Sequence, residues 1–316
     1  MTSTIQITAE GACATAAHPC AHACSGNCSP LVHACLTSWR GQSWPAYRGL
    51  FGGTRGYPVL EGEDARAYLS WYLPLHLPQV REGIRAVLPR FGRPALIRVL
   101  DLGAGAGTVA MALDQLATPA GPLYVVDTLE ASTTFNGRLH DLKNALNPSG
   151  SVAVGECIHA HFEEWFSHAE ACSGRYDWIT IANFLSGISG GRGPEATVAR
   201  LHEMLRRLVG PGGSVLLTIV EGGMESHCRI GDCLRLLQSS EPAGLRFTTI
   251  DSRWETVDAS YLLICRHFQT LKALCRPNAR ALTILVERVS RGTPGCADGS
   301  TVETGMEPVY KDRRQA

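Results

Sequence analysis

The chain has 316 residues, of which 45% are hydrophobic and 18% are charged. This composition is typical of a globular protein and excludes a fibrous or wholly disordered one. Lys plus Arg and Asp plus Glu number 29 each, so the formal net charge is zero, which disfavours a dedicated nucleic-acid or ribosome binder because phosphate contacts need a basic excess.

The start of the chain carries no recognisable targeting segment. No apolar stretch approaches the roughly 20 residues that span a bilayer. The basic and apolar regions of a secretory signal are missing, and the first arginine is Arg40, which disfavours an Arg-rich transit peptide. We therefore expect a cytoplasmic protein with no membrane partner.

Residues 1–50 lack sustained periodicity, and five of the 12 cysteines fall between Cys13 and Cys35. In a reducing compartment, clustered cysteines indicate metal ligands before disulfides. Thiolates bind zinc or an iron–sulfur cluster, and the interleaved histidines suit zinc. The candidate metal ligands are Cys20, Cys24, Cys28 and Cys35, with Cys13 as an alternative fourth. The spacing matches neither the common zinc pairs nor the usual ferredoxin runs, so a flexible leader is the alternative.

A helical lead-in is predicted over residues 63–94, because apolar and aromatic side chains recur at helical spacing over 68–77. Pro74 and Pro78 are expected to break this pattern. A second helix is then expected over 80–88.

Strands and helices alternate over residues 95–290. The first predicted strands are 97–101, 123–126, one that begins at 151–154, 178–182 and 214–220. The helices between them are 108–116, about 131–146 and 197–209. Further on we expect a helix over 228–237, strands over 247–250, 261–265 and 281–289, and a disordered tail over 292–316. This alternation predicts an α/β fold with a mostly parallel sheet, helices on both faces, and a ligand at the carboxyl ends of the strands.

A glycine-rich turn follows the first of these strands. It contains Gly103, Gly105 and Gly107, and a helix begins directly after it. Glycines at such a turn let the main chain approach a ligand closely. About 20 residues further on, the second strand is expected to end at Asp127, whose carboxylate can accept the hydroxyls of a ribose.

The glycine spacing helps to separate two classes of nucleotide cofactor. Enzymes that bind dinucleotides prefer Gly-x-Gly-x-x-Gly, with a pyrophosphate at the helix N-terminus. Here the third glycine comes one residue earlier, and Asp101 precedes the turn. A carboxylate does not help to bind pyrophosphate, but it favours a ligand with an amino group and a sulfonium. A dinucleotide site and a turn that serves packing alone are the alternatives.

Three stretches resemble the class I S-adenosylmethionine-dependent methyltransferase family over about residues 95–290. The segment Val99-Leu-Asp-Leu-Gly-Ala-Gly-Ala-Gly-Thr108 is similar to its first motif. Tyr176-Asp-Trp-Ile-Thr-Ile-Ala-Asn-Phe-Leu185 resembles its fourth strand, and Leu208-Val-Gly-Pro-Gly-Gly-Ser-Val-Leu216 the turn into its fifth. The resemblance implies a Rossmann-like sheet of seven strands, with the last antiparallel, and S-adenosylmethionine as the cofactor.

The resemblance also implies a set of cofactor-binding residues. These are Asp101, Gly103, Ala104, Gly105, Gly107, Asp127, Thr128, Phe162 and Asn183. The family often places an acid near the adenine after the third strand. This sequence departs from that pattern, and Glu156, His161 or Phe162 could take that place.

A narrower resemblance concerns methyltransferase-like proteins of small-ribosomal-subunit assembly that carry an iron–sulfur cluster. The similar fragments are Pro19-Cys-Ala-His22, Cys28-Ser-Pro30, Ala67-Tyr-Leu-Ser-Trp-Tyr-Leu-Pro74 and Val220-Glu-Gly-Gly-Met-Glu-Ser-His-Cys-Arg-Ile230. In that family the cysteine element follows the cofactor domain, whereas here it precedes it.

Methyl transfer from a sulfonium mainly requires alignment of the acceptor and exclusion of water, with a base where the acceptor must lose a proton. The candidate catalytic residues are Asn183, at the end of the fourth strand, and the possible bases Glu221 and His161. Tyr68, Trp71 and Tyr72 are candidates for an aromatic lid or for core packing. The sequence favours an enzyme that methylates a small molecule or a peptide. The alternative is an assembly protein on the ribosome that holds cofactor and metal without turnover.

Overall fold

The computed structural model describes residues 59–62, 64–65, 68, 73–91, 96–146, 150–222, 227–240, 242, 244–256 and 278–289. The predictions for residues 1–50, including Cys20, Cys24, Cys28 and Cys35, lie outside the described residues. The same holds for the strand expected over 261–265 and for the tail over 292–316.

Seven strands form one sheet. They are β1 (Leu96–Leu102), β2 (Leu123–Glu130), β3 (Val152–His159), β4 (Trp178–Ala182), β5 (Ser214–Gly222), β6 (Leu245–Thr256) and β7 (Asn278–Arg288). Their order is β3-β2-β1-β4-β5-β7-β6. Neighbouring strands pair in parallel from β3 to β5, whereas β7 is antiparallel to both β5 and β6. This is the Rossmann-like sheet of the class I methyltransferase fold, as the sequence predicts.

Helices cover both faces of the sheet. They are α1 (Leu73–Arg85), α2 (Thr108–Leu116), α3 (Thr133–Leu146), α4 (Phe162–Ser167), α5 (Pro194–Leu208) and α6 (His227–Ser239), with short 3-10 helices at Leu88–Phe91, Ala169–Cys172 and Leu185–Ser189. Apolar side chains of α1, α2 and α3 form one buried cluster, and those of α4, α5 and α6 form a second. The sheet is therefore buried between two helical layers, which explains why its central strands are apolar on both faces.

Several elements agree with the sequence prediction residue by residue. The helix predicted over 108–116 is α2, and the strand predicted over 178–182 is β4. Both have strong local signals, since a glycine turn precedes α2 and β4 is a short run that is apolar except for Thr180.

The predicted break at Pro78 is wrong, because α1 continues through this residue. A proline inside a helix removes one main-chain hydrogen bond. Leu77, Val80 and Ile84 are each 1% exposed or less. Burial of such a side chain contributes about 1.5–3 kcal/mol, so the packing of this helix offsets the missing hydrogen bond.

The parallel register brings the ends of three strands together. Leu102, the last residue of β1, is level with Leu129 in β2 and with Ile181 in β4. From β1 the chain continues to β2, which pairs with one edge of β1, whereas β4 pairs with the other edge. Ligands of open α/β sheets bind at such a switch point.

A buried row of polar side chains crosses β4, β5 and β7. The indole N–H of Trp178 donates to Thr218 Oγ1 at 2.9 Å, and Thr218 Oγ1 lies 3.1 Å from Thr283 Oγ1. All three residues are 2% exposed or less. Each buried donor in the row therefore depends on its neighbour.

We expect Thr218→Val to lower the free energy of unfolding by about 1–3 kcal/mol, because it leaves the buried indole N–H without its acceptor. Urea unfolding measures this change. Thr248→Val, at an exposed position of β6, is the matched control and should change stability by less than about 0.5 kcal/mol. Equal effects of the two substitutions would contradict the role of the buried row.

Candidate functional site

The glycine loop leaves β1 with three residues in the left-handed conformation. The φ angles of Gly103, Gly105 and Gly107 are 67°, 54° and 84°. A Cβ on Gly103 would lie 2.2 Å from the ring of Phe184, and one on Gly107 would lie 2.4 Å from the side chain of Leu142. A Cβ on Gly105 would meet no described atom within 4 Å. Gly103 and Gly107 therefore allow close packing, and Gly105 leaves space for a ligand.

Glu130, the last residue of β2, faces this loop. Its Oε2 accepts the main-chain N–H of Gly105 at 2.8 Å, and its Oε1 accepts the N–H of Ser132 at 2.8 Å. Burial raises the pKa of this carboxyl. A carboxylate has about four acceptor positions. The N–H of Ala131 also binds this carboxylate, so one position remains for a ligand hydroxyl.

The prediction that the second strand ends at Asp127 is wrong, because β2 continues for three more residues. Asp127 is 3% exposed and accepts the N–H of Glu156 at 2.8 Å and the guanidinium of Arg175 at 2.9 Å. Gly155 makes room for it, since a Cβ there would lie 2.2 Å from Asp127 Oδ1. Asp127 is thus the buried member of an ion pair with the partly exposed Arg175. Glu130, which the sequence analysis did not single out, occupies the place at the end of the strand that was expected for Asp127.

A cavity of about 200 Å³ opens at the carboxyl ends of β1, β2 and β4. The predicted site residues that line it are Gly103, Gly105, His161, Phe162 and Asn183. Its other described lining residues are Val59, Leu60, Tyr68, Leu129, Glu130, Ala131, Phe135, Ala160, Glu163, Ala182, Phe184, Gly187 and Gly190. The remaining predicted residues, Asp101, Ala104, Gly107, Asp127, Thr128 and Glu221, lie outside this lining.

The positions behind the lining have clear local roles. The N–H groups of Gly103 and Ala104 both donate to the carbonyl of Leu129, which ties the loop to β2. Thr128 is fully buried and donates to the carbonyl of Glu156 at 3.5 Å, a long contact between β2 and β3. Ala104 and Thr128 therefore support the loop and the strands rather than facing the cavity.

The residues after β3 and β4 form the floor of the cavity. Asn183 has φ 55°, and its N–H donates to the carbonyl of Val220 at 2.8 Å. Phe184 lies against Gly103 and Gly187, since a Cβ on either glycine would be 2.2 Å from its ring. The ring of Phe162 meets that of Phe184 edge-on with centroids 6.4 Å apart. His161 precedes α4 and is exposed at the cavity.

Glu221, predicted as a possible base, is buried behind this floor. Its carboxylate accepts the N–H of Leu185 at 2.6 Å and that of Phe184. Burial raises its pKa to about 8, although the two main-chain hydrogen bonds oppose the shift. Because it holds the chain directly after Asn183 and does not line the cavity, its placement indicates a structural role.

Asp101 lies beneath the glycine loop and is 1% exposed. Burial raises its pKa to about 7. The hydrogen bond from Thr180 Oγ1, at 2.9 Å, opposes this shift, and the nearby charge of Glu130 adds to it.

Of the residues predicted for an aromatic lid or for core packing, Tyr68 packs against the first buried cluster. Tyr68 lines the cavity, whereas Trp71 and Tyr72 lie outside the described residues. Among the described residues, no group of three or more His, Cys, Asp or Glu side chains could hold a metal ion. The helices of this part of the chain are all too short or too polar to cross a membrane.

No protein-family model and no curated protein sequence matches this chain. Among solved structures, it is similar to the O-methyltransferase from Bacillus cereus in complex with SAH, with 14% identity over 68% of this chain and 81% of that chain and a TM-score of 0.37. It is also similar to an arsenic(III) S-adenosylmethionine methyltransferase from Chlamydomonas reinhardtii, with 15% identity over 83% and 74% of the two chains and a TM-score of 0.34. Identities and TM-scores this low carry no argument about the activity of this chain.

We expect Glu221→Ala to lower the free energy of unfolding by about 2 kcal/mol or more, because two buried N–H groups lose their acceptor. Glu221→Gln should cost less, since its amide oxygen can accept one of them. Chemical denaturation at pH 7 measures both, with Glu170→Ala at an exposed position as control. An alanine variant as stable as the unaltered protein would contradict the structural role.

The raised pKa of Asp101 also predicts a pH dependence of stability. Its folded-state pKa of about 7 exceeds the ordinary value of 3.8. The folded protein therefore binds this proton more tightly, and the resulting stability is lost as the pH rises through 7. We expect the melting temperature to fall between pH 5 and 8, and to fall less for Asp101→Asn, which stays neutral. Parallel pH profiles for the two proteins would exclude Asp101 as the source.

Proposed function

We propose that this chain is an S-adenosylmethionine-dependent methyltransferase whose acceptor is a small molecule or a peptide. The single observation that carries the proposal is the position of Glu130. Its carboxylate is bound to the N–H of Gly105 in the loop after β1 and to the N–H of Ser132 after β2, at the edge of the cavity. This is the arrangement expected where an acid receives ribose hydroxyls beside a glycine loop.

The residues around Glu130 fit the remaining parts of this cofactor. Gly105 leaves open space in which a ligand can lie against the main chain. The aromatic side chain of Phe162 and the imidazole of His161 follow β3 and line the cavity, where they suit a planar base such as adenine. They are therefore our candidates for the adenine contact.

The charge of the site also favours this cofactor. Glu130 lines the cavity, and Asp101 lies buried beneath it with a raised pKa. A ligand with an ammonium and a sulfonium stabilises both carboxylates. A pyrophosphate would instead repel them, so the site disfavours a dinucleotide. When bound, S-adenosylmethionine supplies an activated methyl group.

The acceptor side is built from the chain that follows β4. The ring of Phe184 lines the floor there, and the ring of Phe162, on the adenine side, meets it edge-on. The buried side chain of Asn183 offers an amide that can orient an acceptor. His161 is exposed in the same cavity and can accept a proton from an amine or a hydroxyl. Glu221 is no longer proposed as the base, since its carboxylate binds main-chain N–H groups.

We expect Glu130→Gln to weaken the binding of S-adenosylhomocysteine by about tenfold or more. A hydrogen bond to a charged group contributes about 1.5–3 kcal/mol, and each 1.4 kcal/mol is a factor of ten. Isothermal titration calorimetry measures this affinity. Asp127→Asn is the matched control and should change it less than about threefold, because its carboxylate binds Arg175 away from the cavity. Greater loss in the Asp127 variant than in the Glu130 variant would contradict the assignment.

The same calorimetry tests the function itself. Unaltered protein should give heat with S-adenosylhomocysteine and none with a nicotinamide dinucleotide. Formation of S-adenosylhomocysteine from S-adenosylmethionine in the presence of candidate amines, hydroxyl compounds and peptides then identifies the acceptor. Heat with the dinucleotide alone would refute the proposal.

A further inference from the structure

The chain before α1, at Leu60 and Glu61, is fixed to the cavity by Ser132, which precedes α3, and by the first two residues of α3. Glu61 accepts the N–H groups of Thr133 and Thr134 at 2.7 and 3.0 Å, and the hydroxyl of Thr134 at 2.7 Å. Ser132 Oγ donates to the carbonyl of Leu60 at 2.6 Å. These bonds hold the chain at Leu60 against the start of α3, where it forms part of the cavity wall.

Tyr68 belongs to the same wall. Its ring packs on Phe135 of α3 with centroids 5.7 Å apart, and both residues line the cavity. The Tyr68 hydroxyl lies 3.2 Å from His76 Nδ1, within hydrogen-bond range.

His76 is buried in α1 and does not line the cavity. Burial lowers its pKa to about 3, so its imidazole is neutral at physiological pH. A neutral imidazole offers one donor and one acceptor nitrogen. His76 therefore binds the Tyr68 hydroxyl without placing a positive charge beside the cavity.

Tyr68 lies on the side of the cavity where Glu130 lies. Ser132 connects the two features, because its N–H donates to Glu130 and its hydroxyl accepts the N–H of Phe135, the residue on whose ring Tyr68 packs. Asn183 and Phe184 follow β4, which is separated from β2 by β1 in the sheet. The Tyr68 side is thus the cofactor side rather than the acceptor side.

We propose that Tyr68 contacts the cofactor bound beside Glu130, and that His76 is a positioning residue which holds the Tyr68 hydroxyl in place. This inference rests on the proposed function. The segment before α1 thereby takes part in binding the cofactor, and His76 of α1 holds its residue Tyr68 in place.

The test is a double-mutant cycle on the affinity for S-adenosylhomocysteine, measured by calorimetry. We expect Tyr68→Phe to weaken binding about three- to tenfold, in the range of one neutral hydrogen bond. His76→Leu, which is apolar and suits the buried position, should weaken binding in the protein that has Tyr68. It should have little further effect in the Tyr68→Phe background, because contacting residues that act through one bond are not additive.

Two controls separate positioning from general stability. Tyr124 is a buried tyrosine that does not line the cavity. Tyr124→Phe removes its hydroxyl and should leave the affinity for S-adenosylhomocysteine unchanged. His76→Asn, whose amide can hydrogen-bond a hydroxyl, should restore part of the affinity that His76→Leu loses. If the His76→Leu variant does not fold, His76→Asn completes the cycle. It should then weaken the binding of S-adenosylhomocysteine only in the protein that has Tyr68.

The outcomes distinguish this inference from the function on which it rests. No heat from the unaltered protein would refute the proposed function. Heat from the unaltered protein and equal heat from Tyr68→Phe would refute the role of Tyr68 alone. Full additivity of the two substitutions would refute the positioning role of His76. A higher KM for the acceptor with unchanged cofactor affinity would place Tyr68 on the acceptor side and overturn the assignment.

Discussion

The hydrogen bond between the Gly105 N–H and the Glu130 carboxylate is the constraint on which the site depends. It joins the loop after β1 to the end of β2, the neighbouring strand in the sheet. Gly105 can make this bond with φ 54° because it has no side chain, and the same absence leaves space above the loop. The turn and the acid therefore form one unit, and neither is a ligand site alone.

The sequence predicts most of this architecture, because its local signals agree with the final packing. The glycine turn predicts the start of α2, and the apolar run predicts β4. The sequence is less informative about where β2 ends, since Asp127 looks like the end of an apolar run. The strand continues because Asp127 is neutralised by Arg175, a partner 48 residues away that no local pattern reveals. Glu130 then takes the expected place of the acid.

Pro78 and Glu221 show the same limit in different ways. Pro78 breaks a local helical rule, and α1 persists because its apolar face is buried in the core of the protein. Glu221 looks like a free acid at the end of a strand. The structure reveals that its carboxylate accepts main-chain N–H groups of the chain after β4. In each case a distant contact decides the outcome, and a sequence pattern carries no direct information about such contacts.

A series of hydrogen bonds connects the glycine loop to the chain before α1: Gly105 to Glu130, Glu130 to Ser132, and Ser132 to Leu60. Binding free energies that share such a link are reciprocal. A ligand that strengthens the contact at Glu130 also favours the docked segment before α1. By the same factor, a molecule that binds the outer surface of this segment in its docked position raises the affinity of the cavity for the ligand. The segment at Leu60 and Glu61 thereby becomes a place from which the affinity of the cavity can be tuned without entering it.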